Sequence, residues 1–304
     1  MRVAVAKYPI GMPASFDDFA RRQEACLRQA RELGARIAVL PEYLSLELAA
    51  GFSPEVHGDL AASLAALQEW RGVWCELYGR LSRELDMYLV PGTFLLDVGS
   101  GRYRNRADWF APNGVHGWQD KLQLTGYEKQ SGIIEPGDAL HGFDCDGHRV
   151  GIAVCYDVEF PLPVRAQFEA GIRLLLVPSC TDTAAGATRV RIGCLARALE
   201  NRFFVAQAVT AGEAPWSPAL DVNTGEATLY APMDHGFPAD GILAATQGDA
   251  LWACHEVDVA RLELSRAQAQ VDNDRDWPNQ LVTTLQHWPE GPDVVAPRCE
   301  PASA

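Results

Sequence analysis

The sequence predicts an α/β fold, because short apolar runs typical of buried strands alternate with longer segments that carry helical spacing of apolar residues. The run at residues 150–154 is short, continuous and bounded by Gly147 and Pro161, which favours a strand over a helix. Two segments also repeat one pattern. Residues 31–42 read Arg-Glu-Leu-Gly-Ala-Arg-Ile-Ala-Val-Leu-Pro-Glu, and residues 168–179 read Phe-Glu-Ala-Gly-Ile-Arg-Leu-Leu-Leu-Val-Pro-Ser. The repetition indicates two related βαβ-like halves.

Each element is placed by its apolar spacing and by the residues that start or stop it. Gly34 and Gly171 follow two helical segments, where glycine commonly ends a helix, and Pro163 lies in a first helical turn. The Pro-Asn-Gly run at residues 112–114 predicts a hairpin turn. The predicted strands cover residues 2–7, 36–42, 87–96, 104–110, 117–122, 150–154, 173–179, 203–209, 227–230, 241–245 and 251–259. The predicted helical segments cover residues 15–33, 53–86, 163–170, 188–201 and 260–270.

Composition points to one domain and limits the partners. No Ser/Gly-rich linker or charge block divides the 304 residues, so we expect a single domain over residues 1–285 and an extended C-terminal tail over residues 286–304. The net charge of −14 argues against nucleic acid and against an anionic membrane, because phosphate binding needs clustered Lys and Arg. A small, uncharged or cationic substrate fits better.

The start of the chain and its cysteines indicate a reducing compartment. The chain begins directly with a strand-like run and contains no charge-free stretch of membrane-spanning length, so we expect a cytoplasmic protein. Eight cysteines occur without a C-x-x-C pair or a dense spacing. Neither structural zinc nor a disulfide framework is indicated, and reduced thiols are expected.

Three reactive side chains come at the ends of predicted strands or hairpins: Glu42, Lys121 and Cys155. Each has an ordinary interpretation, because a strand-end thiol is usually a small buried hydrophobe and a loop Glu or Lys is usually a solvated charge. A thiol needs a nearby base or cation to become a nucleophile. Lys121 can stabilise the thiolate by Coulomb attraction and Glu42 can take the thiol proton, if folding brings the three together.

These residues stand in motifs that resemble those of the nitrilase superfamily, the carbon-nitrogen hydrolases. The motifs are Val-Leu-Pro-Glu ending at Glu42, Asp-Lys-Leu around Lys121, Gly-Ile-Ala-Val-Cys-Tyr-Asp around Cys155, Arg-Ala-Leu-Glu-Asn at residues 197–201 and Pro-Gly-Asp at residues 136–138. The resemblance covers nearly the whole chain. It implies a four-layer αββα sandwich of two facing mixed β-sheets, assembled as a homodimer or a larger homo-oligomer.

The resemblance also implies roles for four residues. Glu42 would be the general base, Lys121 the cation that holds the developing oxyanion, and Cys155 the nucleophile. Glu128 would match the second glutamate of the family, which positions Lys121 and substrate. This chain departs from the commonest pattern at Glu159, where many relatives carry Arg, and this difference leaves the substrate open.

The expected activity is hydrolysis of a non-peptide C–N bond in a small amide or carbamoyl amine, through a thioester on the cysteine, with release of ammonia or an amine. No metal or organic cofactor is needed at any step. The oxyanion would lie between the Lys121 ammonium and the backbone N–H of Tyr156. Loop residues expected to contact substrate are Tyr43, Tyr127, Tyr156, Trp216 and residues 179–182, which include Ser179 and Thr181.

Other classes remain as alternatives. A transferase would pass the same thioester to an amine, and a binding protein on the same fold would be expected to have lost a reactive group. A papain-like hydrolase could use His235 or His255, but its Cys-Gly-x-Cys-Trp signature is absent. The glycine-rich patterns of dinucleotide-binding and P-loop proteins are absent as well. The presence of all four reactive groups argues against a binding protein, and we expect hydrolysis rather than transfer because the sequence shows no appended synthetase or membrane domain.

Overall fold

A computed structural model of the chain describes residues 1–282, 285–287 and 293–295. The predicted tail over residues 286–304 therefore lies mostly outside the described residues. The strands are β1 (Arg2–Pro9), β2 (Ile37–Leu40), β3 (Tyr88–Pro91), β4 (Thr93–Gly99), β5 (Arg102–Phe110), β6 (His116–Asp120), β7 (Gly142–Cys145), β8 (His148–Ile152), β9 (Leu174–Ser179), β10 (Phe204–Glu213), β11 (Val222–Asn223), β12 (Thr228–Tyr230), β13 (Ile242–Ala245), β14 (Trp252–Glu256), β15 (Leu285–His287) and β16 (Asp293–Val295).

The α-helices are α1 (Phe16–Glu32), α2 (Pro54–His57), α3 (Leu60–Leu67), α4 (Arg71–Leu85), α5 (Gly126–Ser131), α6 (Pro161–Glu169), α7 (Ala184–Asn201), α8 (Val259–Arg266) and α9 (Asn273–Asp276). Short 3₁₀ helices cover Leu44–Gly51, Gln68–Trp70, Cys155–Glu159 and Trp277–Val282. Helices and strands alternate along the chain, as the apolar spacing predicts.

Strand β1 belongs to two halves of the sheet. Its first residues lie between parallel β2 and antiparallel β14, and its last three residues pair in parallel with β10. The first half continues from β2 through β3 and β5 to β4, with β6 on β5. The second half runs from β10 through β9 and β8 to β7, with β12 and β13 attached through β10. Both halves contain parallel and antiparallel pairs, so both are mixed.

Alternate residues of the first half pack into two different cores, because successive side chains of a strand point to opposite faces. Val3 and Val39 pack with Ile152 and Leu176 of the second half, in the core between the two sheets. The intervening residues of β1 and β2 pack against α1, α3 and α4. Helices α6 and α7 pack on the second half. This arrangement confirms the predicted four-layer αββα sandwich.

The repeated sequence pattern corresponds to two equivalent units. One is β1, α1 and β2, and the other is β8, α6 and β9; in each, a helix joins two parallel strands. Each helix is followed by a glycine with positive φ, 81° at Gly34 and 94° at Gly171. Because parallel strands present their carboxyl ends at one edge, the two units place the loops after β2 and β8 where reacting groups can meet.

The predicted helical segment over residues 53–86 is divided in the structure. Gly58 ends α2, and the side chain of Asp59 begins α3 by accepting a hydrogen bond from the Ala62 N–H at 2.7 Å. The spacing of leucine and tryptophan predicted the buried faces of the helices correctly. It did not predict the break at Gly58 and Asp59, which ends one helix and begins the next. Helix α5 and strand β7, of six and four residues, were not predicted because segments so short carry little periodicity.

The predicted strand over residues 87–96 is divided at Gly92. Its φ of 72° lies in the left-handed region, and a Cβ built there would lie 2.0 Å from the carbonyl oxygen of Pro41. Only glycine fits this close approach without displacing backbone. The turn between β3 and β4 therefore packs directly against the residue that precedes Glu42.

Candidate active site

The loops that follow three strands carry the predicted reactive side chains. Glu42 lies just after β2, Lys121 directly after β6 and Cys155 shortly after β8, while Glu128 lies in α5 beyond the Lys121 loop. All four side chains are buried, with at most 4% of their surface exposed. The structure thus brings together the four residues that the sequence analysis placed in one site.

Lys121 lies between the two glutamates. Its Nζ donates a hydrogen bond to Glu42 Oε1 at 2.8 Å and lies 2.8 Å from Glu128 Oε2. Burial alone would lower the pKa of Lys121, but the attraction of Glu42 and Glu128 outweighs it and raises the pKa well above 10.5. The ammonium stays charged, and because it has three N–H donors, one remains for a further acceptor.

Asn105 and Tyr43 complete this network. Asn105 Nδ2 donates to Glu42 Oε1 at 2.8 Å and to Glu128 Oε1 at 3.3 Å, and the Tyr43 hydroxyl donates to Glu128 Oε1 at 2.8 Å. Neutral donors therefore hold both carboxylates beside the ammonium. We predicted Tyr43 as a substrate contact, whereas its hydroxyl is used to hold Glu128.

Asn105 was not predicted as part of the site, although the sequence contains a signal for it. Residues of β5 alternate between its two faces, and Tyr103, Asn105 and Ala107 share the buried register. An amide among buried apolar neighbours must find hydrogen-bond partners, because an unpaired buried polar group is costly. A polar residue in a buried register was therefore the clue to this part of the network.

Glu128 is also part of a helix cap. Its Oε2 accepts hydrogen bonds from the Thr125 N–H at 2.8 Å and from the Thr125 hydroxyl at 3.0 Å, which forms a capping box at the start of α5. Burial acts to raise the pKa of Glu128, but Lys121, Thr125 and Tyr43 together lower it below 4.5. Glu128 is therefore a fixed carboxylate, suited to orienting Lys121.

Cys155 lies in a strained turn. Its φ of 48° is in the left-handed region, which costs a residue with a side chain about 1–3 kcal/mol. The thiol donates to the carbonyl oxygen of Cys180 at 3.5 Å, and the Cys180 N–H donates to Glu42 Oε2 at 3.0 Å. The same peptide segment therefore holds both the thiol and the carboxylate.

The protonation state of Cys155 differs from our expectation. Burial, followed by the nearby charge of Glu42, raises the pKa of the thiol well above 9, and the opposing effect of Lys121 is smaller. Because two carboxylates already compensate the Lys121 ammonium, it does not hold a thiolate in the resting site. Burial also raises the pKa of Glu42 above 4.5. The site therefore places a buried thiol near a buried carboxyl group, and burial raises the pKa of both.

Among the described residues, the backbone N–H of Tyr156, the predicted oxyanion donor, is unpaired beside the Cys155 thiol. Tyr156 follows Cys155 in the 3₁₀ helix Cys155–Glu159, and its backbone N–H donates to no acceptor within the described part of the chain. A free N–H beside a thiol is the arrangement that an acyl-transfer site needs.

A cavity of about 230 Å³ opens above Cys155. Its lining includes the predicted contacts Tyr43, Tyr127, Tyr156 and Thr181, together with Thr125, Glu159, Cys180, Asp182, Arg189 and Asp221. Ser179 is not part of this lining, because its buried hydroxyl donates to the Val177 carbonyl at 3.3 Å. Trp216 is not part of it either, and its ring packs edge-on against His57.

Residues 1–282, 285–287 and 293–295 contain neither a candidate metal site nor a candidate membrane-spanning helix. No group of three or more His, Cys, Asp or Glu side chains is placed to hold a metal ion there. No helix in these ranges combines the length and the apolar character needed to cross a membrane. The cysteines described there are free thiols: Cys26, Cys75, Cys145, Cys155, Cys180, Cys194 and Cys254.

Comparison with known proteins defines the class. A family model described as carbon-nitrogen hydrolase matches residues 2–245, which include all four reactive residues of the site, so the chain belongs to the carbon-nitrogen hydrolase family. This result confirms the family that the sequence motifs indicated.

Individual relatives share less than a third of their residues with this chain over the matched lengths. The chain is 29% identical to the probable hydrolase YhcX of Bacillus subtilis over 89% of its own length, and it spans about half, 52%, of that relative. It is 26% identical to omega-amidase NIT2-B of Xenopus laevis, with 69% of this chain and 74% of the relative covered. A solved amidase from Nesterenkonia sp. AN1 shares the fold, with a TM-score of 0.65, 22% identity and coverage of 91% and 97% of the two chains.

Proposed function

We propose that this protein hydrolyses the C–N bond of a small amide through a thioester on Cys155. The observation that carries the proposal is the position of Lys121, which is held at 2.8 Å from both Glu42 and Glu128 in the site that contains the thiol. A nucleophile, a base and a fixed cation lie together beneath a cavity of small-molecule size.

The first half of the reaction forms the acyl-enzyme. The Cys155 sulfur attacks the amide carbonyl carbon while Glu42 takes the thiol proton, so the sulfur is deprotonated only as it attacks. The oxyanion accepts from the third N–H of Lys121 and from the Tyr156 N–H. The C–N bond then breaks, Glu42 returns the proton to the leaving nitrogen, and ammonia or an amine departs.

The second half releases the acid. A water molecule gives a proton to Glu42 and attacks the thioester carbonyl, and the second oxyanion uses the same two donors. The C–S bond breaks and the sulfur takes the proton back. Glu42 acts in both halves, and a base whose pKa is raised by burial is suited to accept and return a proton.

The mouth of the cavity favours substrates without negative charge. Glu159, Asp182 and Asp221 line it, and Arg189 is the single basic side chain among the described lining residues outside the reactive group. Arg189 lies 3.9 Å from Glu159, which leaves the two aspartates without an ion-pair partner in the described part of the chain. We propose neutral and cationic amides as substrates, in preference to amides that carry a carboxylate.

The choice of a first probe follows from a related structure. A variant of the Nesterenkonia amidase has been solved in complex with acrylamide, a small neutral amide. Acrylamide and other short primary amides therefore belong in the first panel, with ammonia release as the measurement. Hydroxylamine added to the reaction would convert a thioester to a hydroxamic acid, so hydroxamate formation tests for the proposed intermediate.

Replacement of Cys155 by Ala tests the proposal. We expect the variant to lose amide turnover and hydroxamate formation while it stays close to the native melting temperature, because Ala keeps the Cβ and removes only the sulfur, which borders the cavity. Cys254→Ala is the control, since Cys254 is a free thiol on β14 outside the cavity, and it should keep full activity. Turnover that survives in Cys155→Ala would refute the proposed nucleophile.

A further inference from the structure

One buried carboxylate joins the backbone beside Lys121 to the backbone beside Cys155. Asp157 has 4% of its surface exposed and lies in the 3₁₀ helix that Cys155 begins. Its Oδ1 accepts from the Gln123 N–H at 2.7 Å, and the Leu122 N–H lies 3.1 Å from both of its oxygens. Its Oδ2 also accepts from the Val154 N–H at 3.2 Å.

The donors of these bonds are the chain neighbours of the two reactive groups. Leu122 and Gln123 follow Lys121 directly, and Val154 precedes Cys155. The sequence separation of 35 residues between Leu122 and Asp157 means that no local turn makes this connection. The side chain of Asp157 therefore spans two loops that belong to the two facing halves of the sheet.

The Lys121 backbone is held from its other side as well. The Lys121 N–H donates to the Asn105 carbonyl at 2.9 Å, and the Gly137 N–H donates to the Lys121 carbonyl at 2.7 Å. These bonds tie Lys121 to its own half of the sheet. Among the side chains described here, Asp157 makes the hydrogen bonds that tie the loop after Lys121 to the turn of the nucleophile.

We propose that Asp157 is a positioning residue that sets the distance between the Lys121 ammonium and the Cys155 sulfur. The inference rests on the roles proposed above for those two groups. By accepting from Val154, the carboxylate also holds the turn in which Cys155 has its strained, positive φ. A tetrahedral intermediate needs its oxyanion donors in place before the sulfur attacks, and this connection supplies that placement.

A carboxylate is suited to this task and an amide is not. Three backbone N–H groups converge on Asp157, and a carboxylate offers acceptor positions on both oxygens. An asparagine offers one acceptor oxygen, and its amide N–H groups would face backbone donors. The ionised form is maintained at neutral pH, because burial raises the pKa of Asp157 only to about 6, against the opposing effects of Lys121 and the three N–H groups.

Asp157→Asn tests the inference through two measurements. The first is the rate at which iodoacetamide alkylates Cys155, followed by mass spectrometry, which needs no substrate. The second is the division of the effect between kcat and KM on the best amide of the panel. We expect alkylation to slow about 10-fold and kcat to fall about 100-fold, with KM within about 3-fold of the wild type, because positioning acts on the reacting groups.

Asp108→Asn is the matched control. Asp108 is a fully buried carboxylate whose partners are Arg71, Trp74 and His116, away from the cavity. Its replacement removes a buried charge and is expected to lower the melting temperature. At temperatures below thermal unfolding, the alkylation rate and kcat should equal those of the wild type. All rates are measured at a temperature at which each variant is folded by circular dichroism.

Several outcomes would overturn the inference. One is a folded Asp157→Asn variant whose alkylation rate and kcat equal those of the wild type. Another is an Asp157→Asn variant in which only KM rises. The third is an Asp108→Asn variant that loses as much alkylation rate and kcat as Asp157→Asn. If Asp157→Asn does not fold, Asp157→Glu keeps the charge but displaces it by one methylene, and its alkylation must still slow at least about 3-fold. Failure of the proposed amide hydrolysis would instead show as no Cys155-dependent turnover in the wild type, whatever the alkylation ratio.

Discussion

The ammonium of Lys121 donates to Glu42 Oε1 at 2.8 Å, and each of the two side chains has 1% of its surface exposed. A buried ion pair of this kind adds little net stability, because the cost of removing two charges from water offsets their attraction. Its presence here is explained by chemistry. In the proposed mechanism Glu42 takes a proton while Lys121 keeps its own, and the pair allows both.

Glu42→Gln tests the role of the base. The amide keeps an oxygen for Lys121 but cannot take the thiol proton, so kcat should fall by about 10²–10⁴-fold while the protein stays folded. Ammonia release from the best amide, with the melting temperature as a control for folding, is the measurement. A variant within about 3-fold of wild-type kcat would mean that another group accepts the proton.

Asn105→Ala removes a hydrogen bond of 2.8 Å to Glu42. The lost donor stabilises the ionised form, so the pKa of Glu42 should rise further, and the acidic limb of the kcat/KM profile should move up by about one pH unit. Asn201→Ala is the control: Asn201 is equally buried but donates to the Arg197 carbonyl in α7. That variant should lose stability and keep the wild-type profile, and a profile that moves in both variants would contradict the prediction.

Gly92→Ala should damage both the fold and the site. A Cβ would lie 2.0 Å from the Pro41 carbonyl oxygen, so Pro41 and the adjacent Glu42 must move. We expect a loss of about 3 kcal/mol or more in the free energy of unfolding and a strong loss of kcat. Gly72→Ala is the control, because Gly72 lies in helix α4 and nothing lies within 4 Å of a Cβ built there. This variant should gain about 0.5–1 kcal/mol in the free energy of unfolding. Urea unfolding measures both.

Ionisation of Asp157 should have opposite effects on activity and on stability. As the pH rises through about 6, activity should increase and the contribution of Asp157 to stability should decrease. The proposed activity needs both Asp157 and Glu42 as carboxylates. Burial raises the pKa of each, to about 6 for Asp157, so kcat/KM should fall as the pH drops below about 6. The charged group that faces Asp157 is Lys121, which opposes the rise.

For stability the sign is reversed. The pKa of Asp157 is higher in the folded protein than in the unfolded chain. Its contribution to the free energy of unfolding is therefore fully present below its ordinary pKa of 3.8 and is lost as the pH rises through about 6. Asp157→Asn removes this titration, so the variant does not lose this stability as the pH rises. The unfolding free energy of the variant minus that of the wild type should therefore increase by up to about 3 kcal/mol from pH 4 to pH 7, since each pKa unit is worth about 1.4 kcal/mol. Urea unfolding at the two pH values checks the direction, and a difference that is constant with pH would contradict it.

The charges at the mouth predict the order of substrates. For amides of equal length, kcat/KM should be highest with a terminal amine, intermediate with a methyl group and lowest with a carboxylate, and the differences should shrink at high salt. Asp182→Asn and Asp221→Asn should each reduce the preference for the amine by about 2- to 5-fold, as expected for exposed charges. Asp249→Asn, an exposed carboxylate outside the cavity, should leave it unchanged. A carboxylate-bearing amide that is turned over best would refute this order.

Much of the site could be predicted because its reactive groups mark local features of the chain. Glu42 and Cys155 directly follow buried apolar runs, and a strand that ends in a polar turn is visible within about ten residues of sequence. Asn105 and Asp157 were missed as parts of the site because their importance comes from partners far along the chain. Asn105 contacts Glu42 across 63 residues, and Asp157 contacts Gln123 across 34.

The sequence by itself determined the α/β class, the paired βαβ units and the family, and it predicted the four residues that the fold brings together, because apolar periodicity and short motifs are local properties. The tertiary structure alone decided that burial and Glu42 raise the pKa of the Cys155 thiol, that Lys121 is shared between two carboxylates, and that the Ser179 side chain lies outside the cavity. These outcomes depend on burial and on charges from separate strands. Both exist only once the two halves of the sheet have packed face to face.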